Sequence, residues 1–238
     1  MKKLVFTVAG LLMCHAMQAQ YFCTKQGTEL HYVNYDEAGQ STSNATATVT
    51  TVTNDEGKTK ATYYVKFVTN KLKNNTSYTL YNWSYDGQST VCQEDLMYGP
   101  YIEEDLDPAK YDEKSRALFL EKRKFKGDNS FIIKDQAQGG ESIPERSYSM
   151  ISNMLKNEVT ISGAAYMGQD SISTTAGKFD CIKISYLKRT KILVKSETER
   201  ITEWYAKGVG MVKSESYDMK GKINGKSLLV KIVRTGEK

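Results

Sequence analysis

Residues 61–69 alternate strictly: Ala61, Tyr63, Val65 and Phe67 fall on one face, Thr62, Tyr64, Lys66 and Val68 on the other. A period of two fits a strand with one buried face, whereas an apolar helix stripe recurs about every 3.6 residues. Residues 77–85 share this character and run into an Asp86-Gly87 turn. In 178–188, Ile182, Ile184 and Tyr186 share a face, and short strand-like runs follow at 192–196, 200–205, 211–217 and 227–234. Lys207-Gly208 and the stretch 220–225 separate the later runs as turns. The composition agrees, with 16 Tyr, only 3 Pro, and Thr, Val and Ile crowding the periodic segments. The expected fold is an antiparallel, mainly β meander.

The first 19 residues have the order of a secretory signal peptide. Lys2 and Lys3 precede an apolar run over 4–13 that is too short for a bilayer, and small Ala19 suits the residue before cleavage, with Gln20 as the new N-terminus. Acylation of Cys14 is the lipoprotein alternative, for which Met13 is a poor preceding residue. No later run reaches the ~18 apolar residues of a membrane helix. The expectation is an exported chain, periplasmic before cell-surface or extracellular, with one β-rich domain over 20–238 and no membrane span.

Removing 19 of 238 residues leaves 219, enough to bury roughly 70% of the unfolded surface without disulfides. It also removes Cys14, His15, Lys2 and Lys3, which leaves 3 Cys, 1 His and a formal charge of +3 in place of +5. A single His, His31, cannot build a multi-His metal site. A charge of +3 is not the clustered basic face of a nucleic-acid binder. Three cysteines in an exported chain invite pairing, and a Cys23–Cys92 bridge with Cys181 buried and free is the expectation, three reduced thiols the alternative.

One segment reads as a helix, about 108–124. Asp107 suits its N-cap, Pro108 its first position, Tyr111, Leu118 and Phe125 recur at helical spacing, and Lys122, Arg123 and Lys124 complement its C-terminal dipole. Ser142-x-x-Glu145 resembles the start of a second short helix, although Tyr148 and Met150 fit a strand equally well.

Chemistry is sparse. A nucleophile needs a base beside it, and His31 lies in a strand-like Leu30-His-Tyr-Val33 with no matching Cys or Ser motif. There is no P-loop, dinucleotide glycine pattern or zinc ligand pair, so no catalytic residue, cofactor or metal site is expected. Two carboxylates in a cleft, as in a glycoside hydrolase, are the remaining enzymatic reading. Tyr81, Trp83, Tyr85, Trp204 and Tyr205 suit either a core with cross-strand pairs or a ligand-contacting surface. Asp170-Ser171-Ile172 resembles the O-glycosylation site of some Gram-negative bacteria, which makes Ser171 a candidate acceptor.

Two stretches carry a family resemblance: residues 175–186, with Gly177, Phe179 and Cys181, and residues 203–218, with Trp204, Tyr205, Gly208, Gly210, Glu215 and Tyr217. They resemble the TapB-like family of exported Gram-negative proteins, a domain of unknown function. Residues 25–39 resemble that family's first hairpin. The family's fold is similar to the periplasmic lipoprotein carriers, an incomplete antiparallel barrel around a helical plug. The resemblance therefore implies a curved sheet or half-open barrel with one or two helices, the 108–124 helix as plug, and an apolar concavity. The expected role is non-enzymatic binding of a hydrophobic, lipid-like small molecule or an envelope partner protein; a purely structural or interaction module comes next.

Overall fold

A computed structural model describes residues 20–70, 76–93, 124–152 and 155–236. Their regular structure is entirely β. The strands in chain order are β1 (Glu29–Asp36), β2 (Ser41–Asp55), β3 (Lys58–Thr69), β4 (Thr76–Tyr85), β5 (Ser89–Gln93), β6 (Lys124–Gly127), β7 (Ser130–Lys134), β8 (Arg146–Ser152), β9 (Leu155–Thr174), β10 (Gly177–Ile192), β11 (Lys195–Ala206), β12 (Gly210–Tyr217) and β13 (Ile223–Val233). They form one antiparallel sheet in the order β6-β8-β9-β10-β11-β12-β13-β1-β2-β3-β4-β5-β7.

The alternation read from residues 61–69 is realised in β3, where Ala61, Tyr63 and Val65 are buried. Its neighbour β2 buries Ala45, Ala47 and Val49 and turns the threonines between them the other way. The run expected at 192–196 is instead the tip of the β10–β11 hairpin, where Ile192 pairs with Lys195.

The expected helices need correction, because no helix occurs among the described residues. Ser142 makes an isolated bridge to Ala165, and Arg146 opens β8 directly after the supposed second helix. Strand pairing along β9 wins there over a local capping pattern. The 108–124 helix falls outside the described residues except for Lys124, which begins β6 and pairs with Ile151.

The sheet must roll. β6 and β7 lie at opposite ends of the strand order, yet only Asp128 and Asn129 separate them in the chain. Gly127 and Ser130 are three steps apart along the chain, at most about 11 Å, so the two edges come close together. Among the described residues no backbone ladder joins β6 to β7, and a side chain closes the seam instead. The Tyr166 hydroxyl of β9 donates to Ile132 O at 2.7 Å and accepts from Lys134 N at 3.1 Å, both on β7. The connecting loop adds Ile143 N to Ala164 O and Tyr166 N to Glu141 O. Register shifts between β9 and β10 bend the long strands at Gly163 and Gly168, which have φ of 59° and 92°.

The N-terminal segment packs into the interior of the roll. Tyr21, Phe22 and Cys23 are buried. Tyr21 N donates to Thr90 Oγ1, Gly208 N donates to Gln20 O, and the Tyr63 hydroxyl both accepts from Cys23 N and donates to Cys23 O. An irregular segment thus satisfies its backbone polar groups inside a rolled sheet.

Candidate functional site

The inner face of the roll encloses a concavity of about 280 Å³. Leu30 and Tyr32 of β1, Ala47 of β2, Val65 of β3 and Met211 of β12 supply apolar walls. At the end bearing the β11–β12 turn, an aromatic floor forms. Trp83 lies 6.2 Å from Phe22, 5.9 Å from Tyr63 and 6.1 Å from Tyr205 by ring centroids, and Phe131 lies 5.4 Å from Tyr205. Asn34, Glu203, Ser214 and Ser227 supply polar atoms to the lining. The Glu203 carboxylate is buried and accepts a hydrogen bond from the Tyr205 hydroxyl at 2.8 Å.

One donor in this wall is orphaned. Trp83 Nε1 is buried and has no hydrogen-bond partner. A second orphan stands beside the floor. Arg146 is 8% exposed, its guanidinium carbon lies 5.1 Å from the Phe131 ring and 5.9 Å from the Tyr186 ring, and its Nε and Nη2 have no partner.

The five aromatics singled out in sequence take different places. Tyr81, Trp83 and Tyr205 line the concavity. Trp204 points to the other face, between Lys183 and Lys213 ammonium groups 5.1 and 4.4 Å from its ring. Its Nε1 donates to Asp170 at 2.9 Å, and this bond, with one from Ser171 N, holds the Asp170 carboxyl below its ordinary value. The Tyr85 hydroxyl donates to Asp135; burial first, then that bond, pushes the phenol up to about 12.

The residues of the two resembling stretches take the following places. Gly177 has φ 139° and Phe179 packs partly buried beside it. Gly208 has φ 69° in the β11–β12 turn. Gly210 has φ 114°, and a side chain there would meet the Trp83 ring at 3.5 Å. Burial pushes the Glu215 carboxyl up, but hydrogen bonds from Lys213 and the Tyr217 hydroxyl outweigh it and hold the group low. Ser171 is exposed on β9, with its backbone N–H donating to Asp170. His31 is half-buried on β1, with Nε2 3.0 Å from Glu29.

The expected Cys23–Cys92 bridge is not formed. Cys23, Cys92 and Cys181 are all buried, and none is joined in a disulfide. Cys23 packs with Phe22 and Leu30, whereas Cys92 packs with Phe131 in a separate cluster. Burial, then Asp170 and Asp180, pushes the Cys181 thiol up to about 12, which makes it inert.

Sequence reasoning missed Tyr166, Arg146 and Glu203 as individuals. Only Glu203 lay inside a motif, and period-two parity from Tyr205 places it on the inner face.

A family model described as DUF3108-like matches residues 25–229. Two solved structures share the fold. One is from Bacteroides fragilis and is provisionally described as an exported protein with a YmcC-like fold. It is 16% identical, covering 90% of this chain and 98% of that one, at a TM-score of 0.69. The other is from Parabacteroides distasonis and is provisionally described as a lipoprotein; it is also 16% identical over the same shares, at 0.71. No curated protein matches the sequence.

Proposed function

The chain belongs to the DUF3108-like family, and from that premise we propose that it is an exported envelope protein that binds one apolar, lipid-like molecule in its concavity without transforming it. The observation that carries this reading is the lining, which is apolar and aromatic along the walls and floor, with a few polar groups and one unpaired donor, Trp83 Nε1. Ligand sites are built this way, with an apolar body and a few polar groups that fix orientation. The volume of about 280 Å³ stands near the lower edge of the ~300–1,000 Å³ common for such pockets. It therefore suits a single short acyl or alkyl chain with one acceptor oxygen for the indole N–H, rather than a lipid with several chains.

Export is supported by the order of the first 19 residues and by the descriptions of the two fold relatives. The finer TapB-like assignment belongs to the same reading and rests on the glycine and tryptophan positions of 175–186 and 203–218. The hydrolase reading has less support, because among the described lining residues Glu203 is the one carboxylate, and two are needed.

Mass spectrometry of lipids extracted from protein purified out of native envelope tests the proposal. A single-chain apolar molecule near one per protein is expected. Extracts no richer than those of an unrelated exported protein overturn it.

A further inference from the structure

The β10–β11 hairpin ends in three consecutive exposed apolar side chains, Ile192 at 45%, Leu193 at 62% and Val194 at 95%. The loop itself is two residues, Leu193 and Val194, between the Ile192–Lys195 pair. Favoured two-residue hairpin loops place positive φ at their first residue, and Gly, Asn or Asp fill it. Leu193 occupies that position with φ 54°. A branched apolar residue in the left-handed region is strained, and nothing inside the fold rewards it here, because both loop side chains point to solvent. A local rule broken without an internal gain marks a functional position.

On its β12 side the hairpin stands clear, while on the other side β10 stays paired with β9 as far as Ile192 and Asn157. β11 pairs with β12 only from Arg200, whose partner Tyr217 ends β12. Residues 195–199 therefore run past β12, about 17 Å at the rise of a strand. The tip segment itself is basic. Residues 188–196 contain Lys188, Arg189, Lys191 and Lys195 and no acid. Lys191 reaches Glu158 of β9 at 3.5 Å, and Glu197 and Glu199 stand farther down β11.

We propose that this tip is a membrane-docking finger, with Ile192, Leu193 and Val194 entering the interface of an anionic lipid bilayer and the surrounding Lys and Arg meeting its headgroups. A protein pocket would accept the apolar trio equally, but the four cations of residues 188–195 favour an anionic surface, where apolar insertion and basic attraction reinforce each other. Long lysine side chains let the ammonium groups stay at headgroup level while the tip goes deeper. The finger is independent of the concavity and goes beyond ligand binding.

The full mature chain, sedimented with vesicles of phosphatidylglycerol and phosphatidylcholine, tests it against vesicles of phosphatidylcholine alone. Binding is expected to the anionic vesicles, at least about tenfold weaker to the neutral ones, and weaker still as salt screens the cations. The double variant Leu193→Asn with Val194→Gly gives the loop its preferred residues, so its thermal midpoint should hold or rise while vesicle binding falls at least about tenfold. In Val194→Trp, the indole emission should shift to the blue with anionic vesicles. Equal binding to both vesicle types, unchanged binding by the double variant, or an unshifted Val194→Trp spectrum each overturns the finger. So does capture by an envelope protein with no vesicle binding. The ligand proposal is read separately, by lipid extraction, and survives any of these results.

Discussion

Arg146 is the residue that fits its surroundings least. Its guanidinium cannot shed its proton, it is buried, and two of its nitrogens lack partners. Contact with Phe131 and Tyr186 compensates part of the desolvation, by about 0.5–2 kcal/mol per ring, but leaves those donors unmet. Replacement by an apolar residue of similar length should therefore stabilise the empty protein. Arg146→Met is expected to raise the unfolding free energy by about 1–3 kcal/mol in urea titration with an unchanged slope. A loss of stability would mean that the aromatic contacts outweigh the orphaned donors. Acid sensitivity also belongs at this scale. Asp170 and Glu215 titrate lower in the folded protein than in the unfolded chain. Their contribution is full above the ordinary values of 3.8 and 4.5 and is lost as pH falls through the folded values. Asp170→Asn should lessen the fall of stability on acidification, measured by circular dichroism, while keeping an acceptor for Trp204. The buried thiols make a further residue-scale case. An even count of cysteines became odd when Cys14 was assigned to the signal peptide, and proximity in composition said nothing about which core cluster each thiol would join. Thiol-reactive dye should label Cys23, Cys92 and Cys181 only on unfolding, and reductant should leave the thermal midpoint unchanged.

Among the elements, the N-terminal segment acts as an internal plug of the described sheet. Phe22 is fully buried against Trp83 at its floor. Phe22→Ala is expected to cost about 3–5 kcal/mol, and a loss below 1 kcal/mol in urea titration would contradict the plug. Legibility in sequence differed sharply by element. β3 and the middle of β10 were readable because one face is more buried than the other, which prints alternation into the chain, and the later strands were marked off by the turn signals between them. The plug was unreadable because Tyr21, Phe22 and Cys23 are all buried, so no period appears. Arg146 was hidden for a related reason: Ser142-x-x-Glu145 carries a local capping pattern, and only the distant partner β9 decides that it forms strand. At the hairpin tip, Ile192, Leu193 and Val194 have strand propensity, and the turn is set by the pairing of Ile192 with Lys195 rather than by turn residues.

At the scale of the molecule, the roll depends on a seam that the strand order leaves unladdered. Tyr166→Phe would leave Ile132 O and Lys134 N without their shared partner. It should cost about 1–3 kcal/mol and speed amide exchange along β7 more than along β2. Nothing in the sequence marks Tyr166, one of 16 tyrosines, because a seam is a property of closure and not of any local segment. The concavity was likewise implied by family resemblance rather than read from residues, since alternation says which side chains face inward but not whether they fill the space. Ala47 settles that point most directly. It is buried on β2, lines the concavity, and pairs with Leu30 on one side and Val65 on the other. In an open concavity, Ala47→Phe should keep the stability of the parent to within about 0.5 kcal/mol or raise it, and should abolish uptake of a single-chain fatty alcohol in calorimetric titration. In a filled interior the same change would cost about 1–3 kcal/mol by overpacking, and that loss, or undiminished uptake by the variant, would contradict the account.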